Sequence, residues 1–189
     1  LVHADELRIR GAHNVSNALA AAAAAYAFGI EPGRIAAGLQ SFEPIEHRLE
    51  PAGVVAGVEY FNDSKATNPD AALKALAAFG DRPVIILLGG RNKGSRFSEL
   101  GSRLAETGAT AVVFGEAADE IAFDLDATSA SYTRAAGLAE AVRVAACEAH
   151  PGAAVLLSPA CASFDEFSDY AERGRAFKKL VAAMDGEAA

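Results

Sequence analysis

From about residue 47 to the end of the chain, short apolar runs alternate with helix-spaced ones, and this alternation constrains the fold more than any other feature. The spacing predicts strands near 47–55, 57–62, 84–88, 111–114, 128–132 and 153–157, with helices near 69–79, 96–106, 116–122, 135–149 and 164–182. Strand followed by helix, repeated, implies an α/β fold: a mostly parallel sheet of about six strands with helices on both faces. Val84-Ile85-Ile86-Leu87-Leu88 is apolar without interruption, as expected of a strand buried on both sides. The first two strands are expected to form a hairpin around Ala56-Gly57.

The residues before this pattern read differently. Asn14 to Phe28 and Pro32 to Leu39 are expected to be helices, separated by Gly29, with Glu31 and Pro32 starting the second. Ser41-Phe42-Glu43-Pro44 is the expected linker, because proline limits helix continuation. The chain therefore divides into 1–44 and 45–189, and a body of the latter size can bury roughly two-thirds of its unfolded surface without disulfides or metal. Cys147 and Cys161 are too few and too isolated for a disulfide framework or a zinc site. With 17 basic and 25 acidic residues the net charge is -8, which argues against nucleic-acid and anionic-membrane surfaces. The alanine-rich stretch Ala18 to Ala27 is too short to span a bilayer, and the first residues lack a signal-peptide pattern, so a cytoplasmic protein without membrane insertion is expected.

Chemistry concentrates in Asn62-Asp63-Ser64-Lys65-Ala66-Thr67-Asn68-Pro69. Asn68 can cap the following helix and Pro69 fits its first turn. This places a carboxylate, an ammonium and two hydroxyls at the C-terminal edge of a strand, where open α/β sheets bind ligands. Asp63 and Lys65 can act on a ligand or pair with each other as a structural salt bridge.

Two more turns fall at strand ends. Gly89-Gly90 permits a tight turn or close approach to a ligand, and Lys93 just beyond it is either solvated or an anion ligand. No G-x-G-x-x-G follows, so a dinucleotide site is not expected. Ser163 with Glu166 makes a capping-box pattern; a helix N-terminus there would also suit a carboxylate. Cys161 lacks the G-x-S-x-G context and an identifiable base, and reads as an inert thiol. No pair of histidines has metal-ligand spacing, and no residue is assigned to a metal. Asn14 and Asn17 lie one helical turn apart; they are either a cap and an exposed amide or a pair facing a base edge. Arg48 alone reads as a surface ion-pair former.

Three ordered stretches carry a resemblance: Gly11-Ala12-His13-Asn14-Val15-Ser16-Asn17-Ala18-Leu19-Ala20, the octapeptide, and Leu157-Ser158-Pro159-Ala160-Cys161-Ala162-Ser163-Phe164-Asp165-Glu166-Phe167. Together with Arg48 and Lys93, they resemble the Mur ligases, and within them the D-glutamate-adding branch, from about Gly11 to Phe177. The resemblance implies a Rossmann-like, glutamate-binding C-terminal domain at 45–189, preceded at 1–44 by the helical end of the central ATP-binding domain. It implies ATP-dependent amide formation between UDP-N-acetylmuramoyl-L-alanine and D-glutamate through an acyl phosphate, in peptidoglycan precursor synthesis, with Mg²⁺. By that resemblance Asn14, Asn17 and Arg48 contact the nucleotide. Lys65 contacts the transferred phosphoryl group, while Asp63 orients Lys65 or binds the nucleotide. Thr67, Lys93, Ser163 and the Phe164 backbone address the substrates.

No G-x-x-x-x-G-K-[ST] phosphate loop occurs in the sequence. The chain is therefore expected to be the C-terminal portion of a longer ligase, its partners including the N-terminal and central domains, and to be inactive alone. The Mg²⁺ ligands are expected upstream. A folate polyglutamate synthase or a non-catalytic binding module for a nucleotide or acidic amino acid are the alternatives; the octapeptide argues against the first, and the fold alone permits the second.

Overall fold

The computed structural model describes residues 2–9, 11–43 and 45–187, so Pro44 of the expected linker lies outside the described residues. The chain divides into two compact units, Leu1–Glu46 and His47–Ala189.

The first unit is helical, with α1 at Ala12–Ala27 and α2 at Pro32–Ser41. Gly11, at φ 92°, precedes α1 as its N-cap, so Asn14 is not the cap and sits inside the first turn. Pro32 opens α2, where its missing N–H costs nothing.

The second unit is a six-stranded sheet. Its strands are β1 (Glu50–Val55), β2 (Val58–Asn62), β3 (Val84–Gly89), β4 (Thr110–Phe114), β5 (Tyr132–Arg134) and β6 (Ala154–Ala160), in the order β1-β2-β6-β3-β4-β5. Every neighbouring pair is parallel except the β1–β2 hairpin. Ala56 (φ 50°) and Gly57 (φ 77°) form its two-residue turn, whose paired positive φ angles match the strand twist.

The helices are α3 (Pro69–Ala77), α4 (Ser98–Thr107), α5 (Ala118–Asp126), α6 (Leu138–Glu148) and α7 (Tyr170–Glu187). They divide between the two sheet faces, each with its own core. On one face Ile86 and Leu88 of β3 pack with Leu76 of α3, Leu100 and Leu104 of α4, and Ile121 and Leu125 of α5. On the other, Ile85 and Leu87 pack with Leu138 and Val142 of α6 and Phe177 and Val181 of α7. The period-two alternation of a strand sends successive β3 residues to opposite cores, which is why its sequence is apolar throughout.

Two expected boundaries are corrected. The fifth strand lies at Tyr132–Arg134 rather than near 128–132, because Thr128 N and Ala130 N both donate to Leu125 O, and Ser129 turns left-handed (φ 57°) to close α5. The last helix starts at Tyr170 rather than near 164. Ser163 to Glu166 form a turn, in which Glu166 N and Phe167 N donate to Ser163 O. Glu166 reaches the N-terminus of α6 instead, accepting from Leu138 N at 3.1 Å. Asp169 caps α7 by accepting from Glu172 N at 2.7 Å, while Glu172 reaches back to Ser168 N at 2.8 Å. Among the described residues no helix is long and apolar enough to cross a membrane.

Candidate active site

Strand β6 inserts between β2 and β3, so the C-terminal ends of β2, β6 and β3 lie side by side. The turns that follow them carry Asp63 to Thr67, Ser158 to Phe164, and Gly89 to Lys93. Such an edge is where open α/β sheets bind ligands.

In the first turn, Asp63 N prolongs the parallel pairing by donating to Leu157 O at 2.8 Å, and Ser64 N folds back onto Asn62 Oδ1 at 3.2 Å. Asn68 caps α3 by accepting from Ala71 N at 2.9 Å, with Pro69 next in line. Between these anchors, Asp63 is buried. Its Oδ1 accepts from Leu49 N at 3.2 Å and its Oδ2 from Ser158 Oγ at 2.8 Å. Lys65 points elsewhere: its Nζ donates to Tyr170 Oη at 3.0 Å and lies 4.4 Å from the centroid of the Tyr170 ring. The alternative of a structural salt bridge between Asp63 and Lys65 is therefore not formed, and Asp63 does not orient Lys65 directly. Arg48 is exposed and Thr67 half-buried.

Burial pushes the Asp63 carboxyl up to about 6, against the lowering effects of the Ser158 and Leu49 hydrogen bonds and the Arg48 charge. Since this lies above the ordinary carboxylate range, the folded state retains a proton that the unfolded chain has already lost between about pH 4 and 6. The stability Asp63 contributes is thus fully present at low pH and lost as pH rises through its folded value. Asp63→Asn should remove this slope: the amide that replaces the carboxyl can accept from Leu49 N and donate to the Ser158 hydroxyl. Urea unfolding of both proteins should show the variant gaining about 2 kcal/mol on wild type between about pH 4.5 and 7.5. Parallel pH profiles would refute the assignment.

The other two turns are stitched together. Arg91 N donates to Ala162 O at 2.8 Å and Ala162 N to Arg91 O at 3.0 Å, an antiparallel bridge beyond the ends of β3 and β6. It brings the segments bearing Lys93 and Ser163 alongside each other. Gly90 makes this approach possible: at φ 124°, a Cβ there would lie 2.1 Å from Ala162 O. Lys93 and Phe164 are exposed, whereas Ser163 is buried. Asn92 fixes its own loop by accepting from Ser95 N at 2.9 Å and donating to Ser95 O at 3.1 Å. Burial raises the Cys161 thiol to about 12, consistent with an inert group. A cleft of about 470 Å³ between the 92–97 loop and α5 is lined by none of Asp63, Lys65 or Ser163. In the helical unit, Asn14 is half-buried and Asn17 exposed, one turn apart on α1.

Arg173, on the first turns of α7, belongs to no motif singled out in the sequence, although it ties the three turns together. Its guanidinium is wholly buried, with Nε donating to Ser64 Oγ at 3.0 Å and Nη2 to both Ser64 O at 2.9 Å and Cys161 O at 3.0 Å. Nη1 reaches Gly89 O at a long 3.4 Å. Burial lowers its pKa to about 10, which leaves it charged at neutral pH. A signal was present: Arg173, Phe177 and Val181 follow one another at helical spacing, so a cation sat on the apolar stripe.

Residues 47–161 match the family model described as Mur ligase, glutamate ligase domain. The chain belongs to the Mur ligase family. It is 48% identical, over 95% of its length and 40% of the relative's, to the UDP-N-acetylmuramoylalanine--D-glutamate ligase of Pelotomaculum thermopropionicum. Against the ligase of the same name from Solibacter usitatus the identity is 45%, over 98% of this chain and 41% of the relative. This Mur ligase chain thus spans about two-fifths of the length of the curated relatives it matches. Among solved structures it is similar to the UDP-N-acetylmuramate-alanine ligase of Thermotoga maritima, at a TM-score of 0.69 and 19% identity over 94% of this chain and 39% of that one. The folylpolyglutamate synthase of Mycobacterium tuberculosis gives 0.66 and 18% over 92% and 41%. These two likenesses concern the fold.

Proposed function

We propose that the chain is the C-terminal part of a cytoplasmic, ATP-dependent ligase that joins D-glutamate to UDP-N-acetylmuramoyl-L-alanine, a step of peptidoglycan precursor synthesis. In this reading 1–44 ends the central ATP-binding domain and 45–189 is the glutamate-binding domain. The observation that carries it is the adjacency of β2, β6 and β3, which sets a turn whose lysine is held by a phenol rather than a carboxylate beside two turns bearing Lys93 and Ser163. The names of the curated relatives support the choice of substrates.

Atoms and charge balance in two steps. The L-alanine carboxylate takes the γ-phosphoryl group of ATP, giving an acyl phosphate and ADP. The amine of D-glutamate attacks the acyl carbon, the C–O bond to phosphate breaks, and the amine's surplus proton is released with inorganic phosphate. Phosphoryl transfer is mostly positioning and charge neutralisation, the role assigned to Lys65. Thr67, in the same turn, offers a hydroxyl to the substrate. Asn14 and Asn17 supply amides for the adenine edge, and Arg48 a cation for the phosphates.

Mg²⁺ would neutralise phosphate charge when bound. Asp63 does not fit it, because both carboxylate oxygens already accept hydrogen bonds in a buried site that raises its pKa. The buried Asp63 is instead a positioning group that locks the turn to Leu49 and Ser158, and the metal ligands are assigned to the rest of the ligase.

D-glutamate presents two carboxylates and needs two anchors. Lys93 and Ser163, with the Phe164 backbone, supply them. In the full-length ligase Lys93→Ala should raise the KM for D-glutamate by about tenfold to a hundredfold, through loss of a charge-assisted hydrogen bond. Ser163→Ala should act in the same direction more weakly. The KM for ATP should move less than about threefold in both. If Lys93→Ala weakened ATP and spared D-glutamate, the lysine would belong to the phosphate side. A preference for a folate-polyglutamate acceptor over UDP-N-acetylmuramoyl-L-alanine would overturn the substrate assignment.

A further inference from the structure

We propose that Tyr170 is the positioning residue that aims the Lys65 ammonium, through its phenol oxygen and its ring face together. The inference rests on the reading of Lys65 as the cation that meets the transferred phosphoryl group.

A lysine ammonium rides on a flexible four-carbon stem, and its position is undefined unless something fixes it. Here Nζ donates to Tyr170 Oη at 3.0 Å while lying 4.4 Å from the ring centroid. The hydrogen bond sets direction and the negative ring face supplies attraction. One N–H is used, leaving two for anionic oxygens. A carboxylate in the same place would hold the ammonium but neutralise it. The nearest one in sequence, Asp63, is committed to Leu49 and Ser158 instead.

Tyr170 is itself immobilised. It is the first residue of α7, and its carbonyl accepts from Ser64 Oγ at 2.7 Å. The His47 and Tyr170 rings pack nearly perpendicular, at 82°, with centroids 5.9 Å apart. On the next turn Arg173 grips Ser64 through both its hydroxyl and its carbonyl. Lys65 N, in turn, donates to His47 O at 3.2 Å. Backbone and side chain of Lys65 are therefore referred to the same pair, His47 and Tyr170, and the first turn of α7 sets where the charge stands.

Tyr170→Phe in the full-length ligase keeps the ring and removes the hydrogen bond. It should lower kcat about tenfold, with KM for ATP and for D-glutamate held within about twofold, because the aim of Lys65 matters only in the transition state. Tyr170→Leu, which loses the ring as well, should lower kcat by about a further tenfold, and thermal unfolding of both variants should show that the fold is retained. In single-turnover assays on a Lys65→Ala background, adding Tyr170→Phe should cost nothing more. An equal loss with and without Lys65, or an unchanged kcat in Tyr170→Phe while Lys65→Ala is impaired, would overturn the positioning role. An unchanged kcat in Lys65→Ala would instead remove the functional reading on which it rests.

Discussion

Replacing Arg173 by methionine should destabilise the sheet-bearing unit by about 3 to 5 kcal/mol. Methionine keeps most of the stem's volume but none of its donors. The carbonyls of Ser64 and Cys161, both held by Nη2, are then left buried without partners, at about 1 to 3 kcal/mol each. Relief of the cost of burying a guanidinium offsets part of this, so the loss stays below the sum of the broken bonds. Arg173→Lys should fare little better. A single ammonium cannot reproduce the planar fork that reaches Ser64 Oγ, Ser64 O and Cys161 O together. Urea unfolding at neutral pH, with equal m-values, measures the difference. A loss below about 1 kcal/mol in Arg173→Met would mean that the three turns hold one another without the pin.

The fold was legible because its signals were local and mutually consistent. Val84 to Leu88 lacks any polar residue since Ile85 and Leu87 meet one core while Ile86 and Leu88 meet the other. Asn68 and Pro69 announced the start of α3, and Asn68 does cap it. Errors arose where one local pattern could serve two geometries. Ser163 with Glu166 reads as a capping box, yet the Glu166 carboxylate goes to Leu138 on another helix, and Asp169 with Glu172 makes the cap further along the chain. Sequence spacing does not reveal which N-terminus a carboxylate will find.

The turns that form the candidate site were legible in the sequence, but the partners of their side chains were not. Asp63 and Lys65 are two positions apart in a turn, and spacing alone left them free to pair. What separates them is tertiary: Leu49 and Ser158 capture the carboxylate, and Tyr170, from a distant helix, captures the ammonium. The role of Arg173 is not legible in the sequence because a charged residue inside a helix usually faces water, whereas here the carbonyl ends of three turns converge on it.

On the proposed reading of Lys65 as the cation that meets the phosphoryl group, Lys65→Ala in the full-length ligase should lower kcat by about a hundredfold or more while leaving stability nearly unchanged. The two halves of this expectation have different physical sources. Lys65 is half-buried and its ammonium is held by Tyr170, so the folded state loses one hydrogen bond and one ring contact at an accessible position. In the transition state, by contrast, negative charge is spread over the oxygens of the phosphoryl group, and a fixed cation in a water-poor site is worth several kcal/mol. Removing such a contact typically costs about 2.7 to 4 kcal/mol of barrier, or about a hundredfold to a thousandfold in rate. Lys65→Arg should recover only part of it, since the wider guanidinium does not place its charge where the ammonium stands over the Tyr170 ring. Steady-state kinetics with saturating ATP and D-glutamate separate kcat from KM, and thermal unfolding of the same variants checks the fold. A Lys65→Ala enzyme with near-normal kcat would reduce the Lys65–Tyr170 contact to a surface-packing feature and move the phosphoryl-binding cation out of this chain.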